Sequence, residues 1–128
     1  MQTSIALFGE SQKGNFHTGY YCKNLTQLLD FVGEPPSLES QGLLYAVQSL
    51  LYQYHVIFFR VREEGFSVQD YLNGLQLLGQ QRLPMKLSAI CLPGVGNSKI
   101  IEATNPICLQ HNSLIILTEQ DLYDYLTN

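Results

Sequence analysis

HVIFFRV, residues 55–61, sets Val56, Ile57, Phe58 and Phe59 side by side with no polar residue between them. A strand with one wet face alternates apolar and polar side chains. An unbroken β-branched and aromatic run belongs to a strand covered on both faces, the signature of a parallel sheet with helices above and below. Three other runs have the same character: Ile5 to Phe8 closed by Gly9, Leu87 to Leu92 (LSAICL), and Leu114 to Leu117 (LIIL). Tyr20-Tyr21-Cys22 adds a candidate edge strand inside the polar stretch from Glu10 to Lys23.

Helical spacing fills the intervals. Asn24 is placed to cap a helix through Leu25, Leu28, Leu29 and Val32, with Gly33 as its stop. Glu34-Pro35-Pro36 forces an extended break, and Ser37 is the expected restart of a helix carrying Leu43, Leu44, Val47, Leu50, Leu51 and Tyr54. Ser67 with Asp70 reads as a capping pair for a helix through Val68, Tyr71, Leu72, Leu75 and Leu78, stopped by Gly79. Asn97 or Ser98 caps a further helix that Pro106 is expected to kink or end, and Thr118 with Asp121 caps the last. Strands alternating with helices require right-handed crossovers between parallel strands. The expected fold is one small three-layer α/β/α domain over residues 1–128, with a four-stranded, mainly parallel sheet arranged like half of a Rossmann or flavodoxin fold.

Composition narrows the function classes. The chain has 128 residues, 45% of them hydrophobic and only 14% charged, so its surface is built largely from Gln, Asn, Ser, Thr and Tyr. Such a weakly repulsive surface suits packing against other protein. A net charge of −4 without a Lys/Arg run argues against nucleic acid and against an anionic membrane surface. No apolar stretch approaches a membrane span and no secretory signal is visible, so the expected location is the cytoplasm. Without secretion, the acceptor-like Asn24-Leu25-Thr26 carries no meaning. Cys22, Cys91 and Cys108 form neither a zinc pattern nor a disulfide framework. No metal or cofactor is expected.

In a sheet of this kind ligands bind beyond the carboxyl ends of the strands. Those ends are Glu10 to Gly14, Arg60 to Glu64, Pro93 to Ser98, and Thr118-Glu119. GESQKG lacks the lysine–hydroxyl ending of a phosphate loop, and GVGNSK lacks the third glycine of a dinucleotide fingerprint and follows the wrong strand. Arg60 and Arg62 share a strand face and can clamp a phosphate, or pair with Glu63, Glu64 or another chain. Glu63, Glu64 and Glu119 are candidate acids and bases, or merely solvated loop ends and helix-start charges. His17, His55 and His111 have no ligand spacing. No nucleophile stands beside a visible base, and no catalytic residue is assigned.

The order of motifs resembles the contractile phage tail sheath family. IALFGESQKGNFHTGYYCKNLTQLLDFVGEPP (5–36) is similar to that family's opening, with Gly9, Gly14, Asn24, Leu28, Phe31 and Gly33 in matching places. LLYAVQSLLYQYHVIFFRV (43–61) matches at Ala46, Val47, Arg60 and Val61, and YLNGLQLL with LSAICLPGVGN resembles the later helix and strand. Tyr52-Gln53-Tyr54 stands where the family has Asn-Gly-Gly, and REEGFSV replaces a large insertion. The resemblance therefore implies the inner α/β core alone, without the insertion or the C-terminal region that lends strands to neighbours. On this reading the chain is a non-enzymatic structural or interaction module that binds itself or another protein. The competing expectation is a small nucleotide- or nucleoside-binding enzyme. Arg60, Arg62, Lys13 and the Asn97-Ser98 helix start would then hold an anion, with Glu10 or Glu119 as acid or base.

Overall fold

A computed structural model describes residues 3–80, 83 and 85–128. Five strands and five helices follow one another as β1 (Thr3–Gly9), β2 (Gly19–Cys22), α1 (Leu25–Val32), α2 (Gly42–Leu51), β3 (His55–Arg60), α3 (Val68–Gln80), β4 (Lys86–Cys91), α4 (Ser98–His111), β5 (Leu114–Ile116) and α5 (Glu119–Thr127). The sheet order is β2-β3-β1-β4-β5. β3, β1, β4 and β5 are parallel, and β2 pairs antiparallel with β3. The sheet is thus five-stranded and mixed rather than four-stranded. The brief Tyr20-Tyr21-Cys22 segment completes an edge because the loop before it folds back far enough to lay Tyr20 opposite Phe58.

The sheet is apolar on both faces. Ile5, Leu7, Val56, Phe58, Ala89 and Cys91 meet α1, α2 and α5 on one face. Ala6, Phe8, Ile57, Phe59, Leu87 and Ile90 meet α3 and α4 on the other. Strict alternation along β4 would put Leu87 and Ala89 on the same face. A bulge at Ser88 prevents it: the register runs Ser4↔Leu87, then Ile5↔Ala89. Two hydroxyls hold the bulge, Ser88 donating to the Ser4 carbonyl (3.2 Å) and Ser4 to that of Lys86 (3.1 Å).

Several helix boundaries differ from the sequence reading, each for a local reason. α2 begins at Gly42 rather than Ser37, since residues 37–40 form a turn closed by Ser40 N–H on the Ser37 carbonyl. Ser67 and Asp70 are not a capping pair: the Ser67 hydroxyl bonds the Glu63 backbone and Asp70 bonds Arg62. Gly79 lies inside α3, where a Cβ would sit 2.8 Å from Ile107 Cδ1, so it lets α3 approach α4. α4 continues through Pro106 to His111. The carbonyl that loses its donor belongs to Glu102, and both residues are exposed, so water can replace the missing bond. The caps at Asn24, Asn97 and Thr118 form as expected. Among the described residues, no helix is long and apolar enough to cross a membrane.

Candidate functional site

The crossovers change direction between β1 and β4, so the crevice open to a ligand in such a sheet lies beyond Gly9 and Cys91. Here the β3–α3 loop crosses that point. Gly65, at φ 87°, lies against Gly94 of the β4–α4 loop so closely that a Cβ would stand 2.6 Å from the Gly94 carbonyl oxygen. Gly65 N–H also donates to the Tyr71 hydroxyl at 2.7 Å, fixing the loop to the buried first turns of α3. Burial raises the Tyr71 phenol above its ordinary value, so it stays a neutral anchor.

Glu64 comes next in that loop and does what no residue near Gln41 does. α2 has no side-chain cap of its own. The Glu64 carboxylate supplies one, accepting from Gln41 N–H (2.7 Å) and Gly42 N–H (3.0 Å), and also from Glu10 N–H at 3.2 Å. The Glu10 carboxylate returns the contact, accepting from Glu64 N–H at 2.8 Å. The close approach depends on Gly42, where a Cβ would lie 2.5 Å from the Phe8 carbonyl oxygen and 2.6 Å from Gly9 Cα. A carboxylate on backbone N–H groups at a helix start holds the place that an anionic ligand takes in related architectures. This chain provides the anion itself.

The arginines are similarly engaged. Arg60 donates to the Gly14 carbonyl at 2.7 Å. Arg62 pairs with the buried Asp70, through its guanidinium at 2.5 Å and its backbone N–H at 2.8 Å. Neither bonds Glu63 or Glu64 in an ion pair; Asp70 wins because its position in the first turn of α3 faces Arg62 directly. Both guanidiniums lie over the Phe16 ring, at 4.5 and 4.1 Å from its centroid. The loop of residues 10–18 is tied to the end of α1 by Gln12 N–H on the Glu34 carbonyl and Lys13 N–H on that of Val32, each 3.0 Å.

Two grooves open at this rim. One, about 200 Å³, is lined by Glu10, Ser11, Phe16, Pro36, Arg60, Val61 and Arg62. The other, about 500 Å³, carries Glu10, Glu39, Glu63 and Glu64 on its walls and no cationic side chain. Of the residues singled out from sequence, Glu10, Arg60 and Arg62 come together in the smaller groove, and Glu63 and Glu64 join Glu10 in the larger. Lys13 is exposed, with its backbone held. Asn97 and Ser98 line neither groove, and the Asn97 carboxamide is consumed in capping α4 (Lys99 N–H, 2.8 Å). Glu119 lines a separate groove between α2 and α5. Asp70, Phe16 and Tyr71 were not singled out as site residues; the aromatic between two arginines is separated from them by more than forty positions, so no local spacing reveals it. His17 bonds Asn73, His55 bonds Met85 and His111 bonds the Leu78 carbonyl, three separate places. Among the described residues no group of His, Cys, Asp and Glu is arranged to hold a metal. Comparison with protein-family models, with curated proteins and with solved structures found no match.

Proposed function

We propose that the chain is a non-enzymatic protein-interaction module, of the kind that forms the inner core of a tail sheath subunit. The observation that carries this reading is the Glu64 carboxylate on the Gln41 and Gly42 N–H groups: the anion position of the rim is filled from within. The charged side chains of the larger groove are all carboxylates, which repel a phosphate, and the guanidiniums already have partners. The stretches on which the resemblance rests cover β1 through α1, α2 with β3, and α3 with β4.

The test pairs light scattering on a gel-filtration column with a thermal-shift screen. The reading expects concentration-dependent association with itself or with an added protein, and no stabilisation by nucleotides. A ligand at ~100 times its dissociation constant stabilises a fold by roughly 2.7 kcal/mol. Such a shift with ATP or NAD, abolished by Arg60→Ala, would overturn it in favour of the nucleotide-binding enzyme.

A further inference from the structure

The two helical layers differ in charge. α1, α2 and α5 carry Asp30, Glu119, Asp121 and Asp124 and not one Lys or Arg, although Lys13 and Lys23 stand at the two ends of α1. In the opposite layer Asp70 is neutralised by Arg62, and Lys99 accompanies Glu102. The acidic layer also exposes large apolar side chains: Leu29 and Phe31 on α1, Leu44 and Leu51 on α2, Tyr52 just beyond it, and Tyr123 on α5, with Leu51 65% and Tyr123 55% exposed. Between α2 and α5 runs a groove of about 410 Å³ lined by Gln48, Tyr52, Glu119, Gln120, Tyr123 and Leu126. Leu126 in its lining belongs to the buried core beneath.

We propose that this face docks a Lys- or Arg-bearing amphipathic segment of another protein. The inference rests on the interaction-module reading and names the surface and the partner. On α2 and α5 the only charged side chains are the carboxylates Glu119, Asp121 and Asp124, beside exposed apolar side chains, and this complements a segment with one apolar and one basic stripe. A lysine or arginine from that segment lays its stem along Tyr52, Tyr123 and Leu126 and brings its charge to the Glu119 carboxylate. A second copy is disfavoured, because a two-fold contact would set the same carboxylates against themselves. Nucleic acid and anionic lipid are excluded by the sign of the charge.

The protein has no tryptophan, so a peptide with one provides an unambiguous signal. The probe is a fourteen-residue Leu/Lys amphipathic peptide carrying one tryptophan; its control has Glu for Lys. Saturable binding of the Lys peptide and none of the Glu peptide is expected. Glu119→Gln with Tyr123→Ala should weaken binding about tenfold or more, and Leu109→Ala on the opposite layer should leave it within twofold. All these side chains are exposed, and far-UV circular dichroism checks that the variants fold. Absent binding, binding unchanged in the double variant, or equal binding of the Glu peptide overturns the proposal. If the chain instead self-associates and the double variant abolishes that, the occupant is a second copy: this inference fails and the module reading stands. Nucleotide stabilisation in the same samples removes the module reading itself.

Discussion

Replacing Glu64 with alanine removes three hydrogen bonds at once, to the backbone N–H groups of Gln41, Gly42 and Glu10. Losing a helix cap costs about 1 to 2 kcal/mol. A bond to a charged acceptor contributes roughly 1.5 to 3 kcal/mol, less where water can replace it. Glu64 is half-buried, so water reaches some of the orphaned donors. The combined loss should be about 3 kcal/mol. With a urea dependence of about 1.5 kcal/mol per molar, the unfolding midpoint falls by about 2 M. Glu64→Gln retains one carbonyl acceptor and should lose about half as much. A second readout tests the chemistry of the position. In Glu64→Ala the emptied helix start is open to a carboxylate of the same single charge, so acetate should raise its melting temperature more than it raises that of the parent at equal ionic strength. An alanine variant within about 0.5 kcal/mol of the parent, or equal acetate effects on both proteins, would refute the account of Glu64 as a built-in anion.

Three further outcomes follow from the same geometry. Gly42→Ala drives a methyl into the Phe8 carbonyl and Gly9 Cα, backbone atoms that cannot swing aside, and should cost about 3 kcal/mol by urea denaturation. Asp70→Ala should cost more than Arg62→Ala, about 2 to 3 kcal/mol against less than about 1, because Asp70 is buried whereas the Arg62 side chain is 58% exposed; equal losses in denaturation would contradict this. Burial pushes the Cys22 thiol from 9.0 up to about 12. Its contribution to stability is therefore intact below pH 9 and is lost as pH rises toward 12, at about 1.4 kcal/mol per pH unit. Urea midpoints at pH 9 to 11 should fall less steeply in Cys22→Ala.

The strands were legible because four continuous apolar runs mark strands covered on both faces, and the helix caps at Asn24, Asn97 and Thr118 because a short polar side chain beside an apolar stripe serves its own helix. What sequence spacing hid is held by contacts between distant segments. The start of α2 is capped from 22 and 23 positions away, so Ser37, with a suitable side chain nearer by, drew the helix start forward. The Ser88 bulge needs its partner Ser4, 84 positions distant. Asp70 has the right place for a cap and is diverted by Arg62. At the rim, the polar character of every strand end was visible, but whether those groups face a ligand or one another depends on how the loops cross, and the crossing at Gly65 and Gly94 decides it.

The central position of β1 also bears on biosynthesis. Its two neighbours, β3 and β4, lie far downstream, and β2 cannot pair until β3 exists. During translation β1 emerges ahead of both strands that flank it, and nothing can sit beside it until β3 has followed. Early-terminated chains would carry that sticky segment uncovered, and nascent ones have a window in which chaperone capture competes with aggregation.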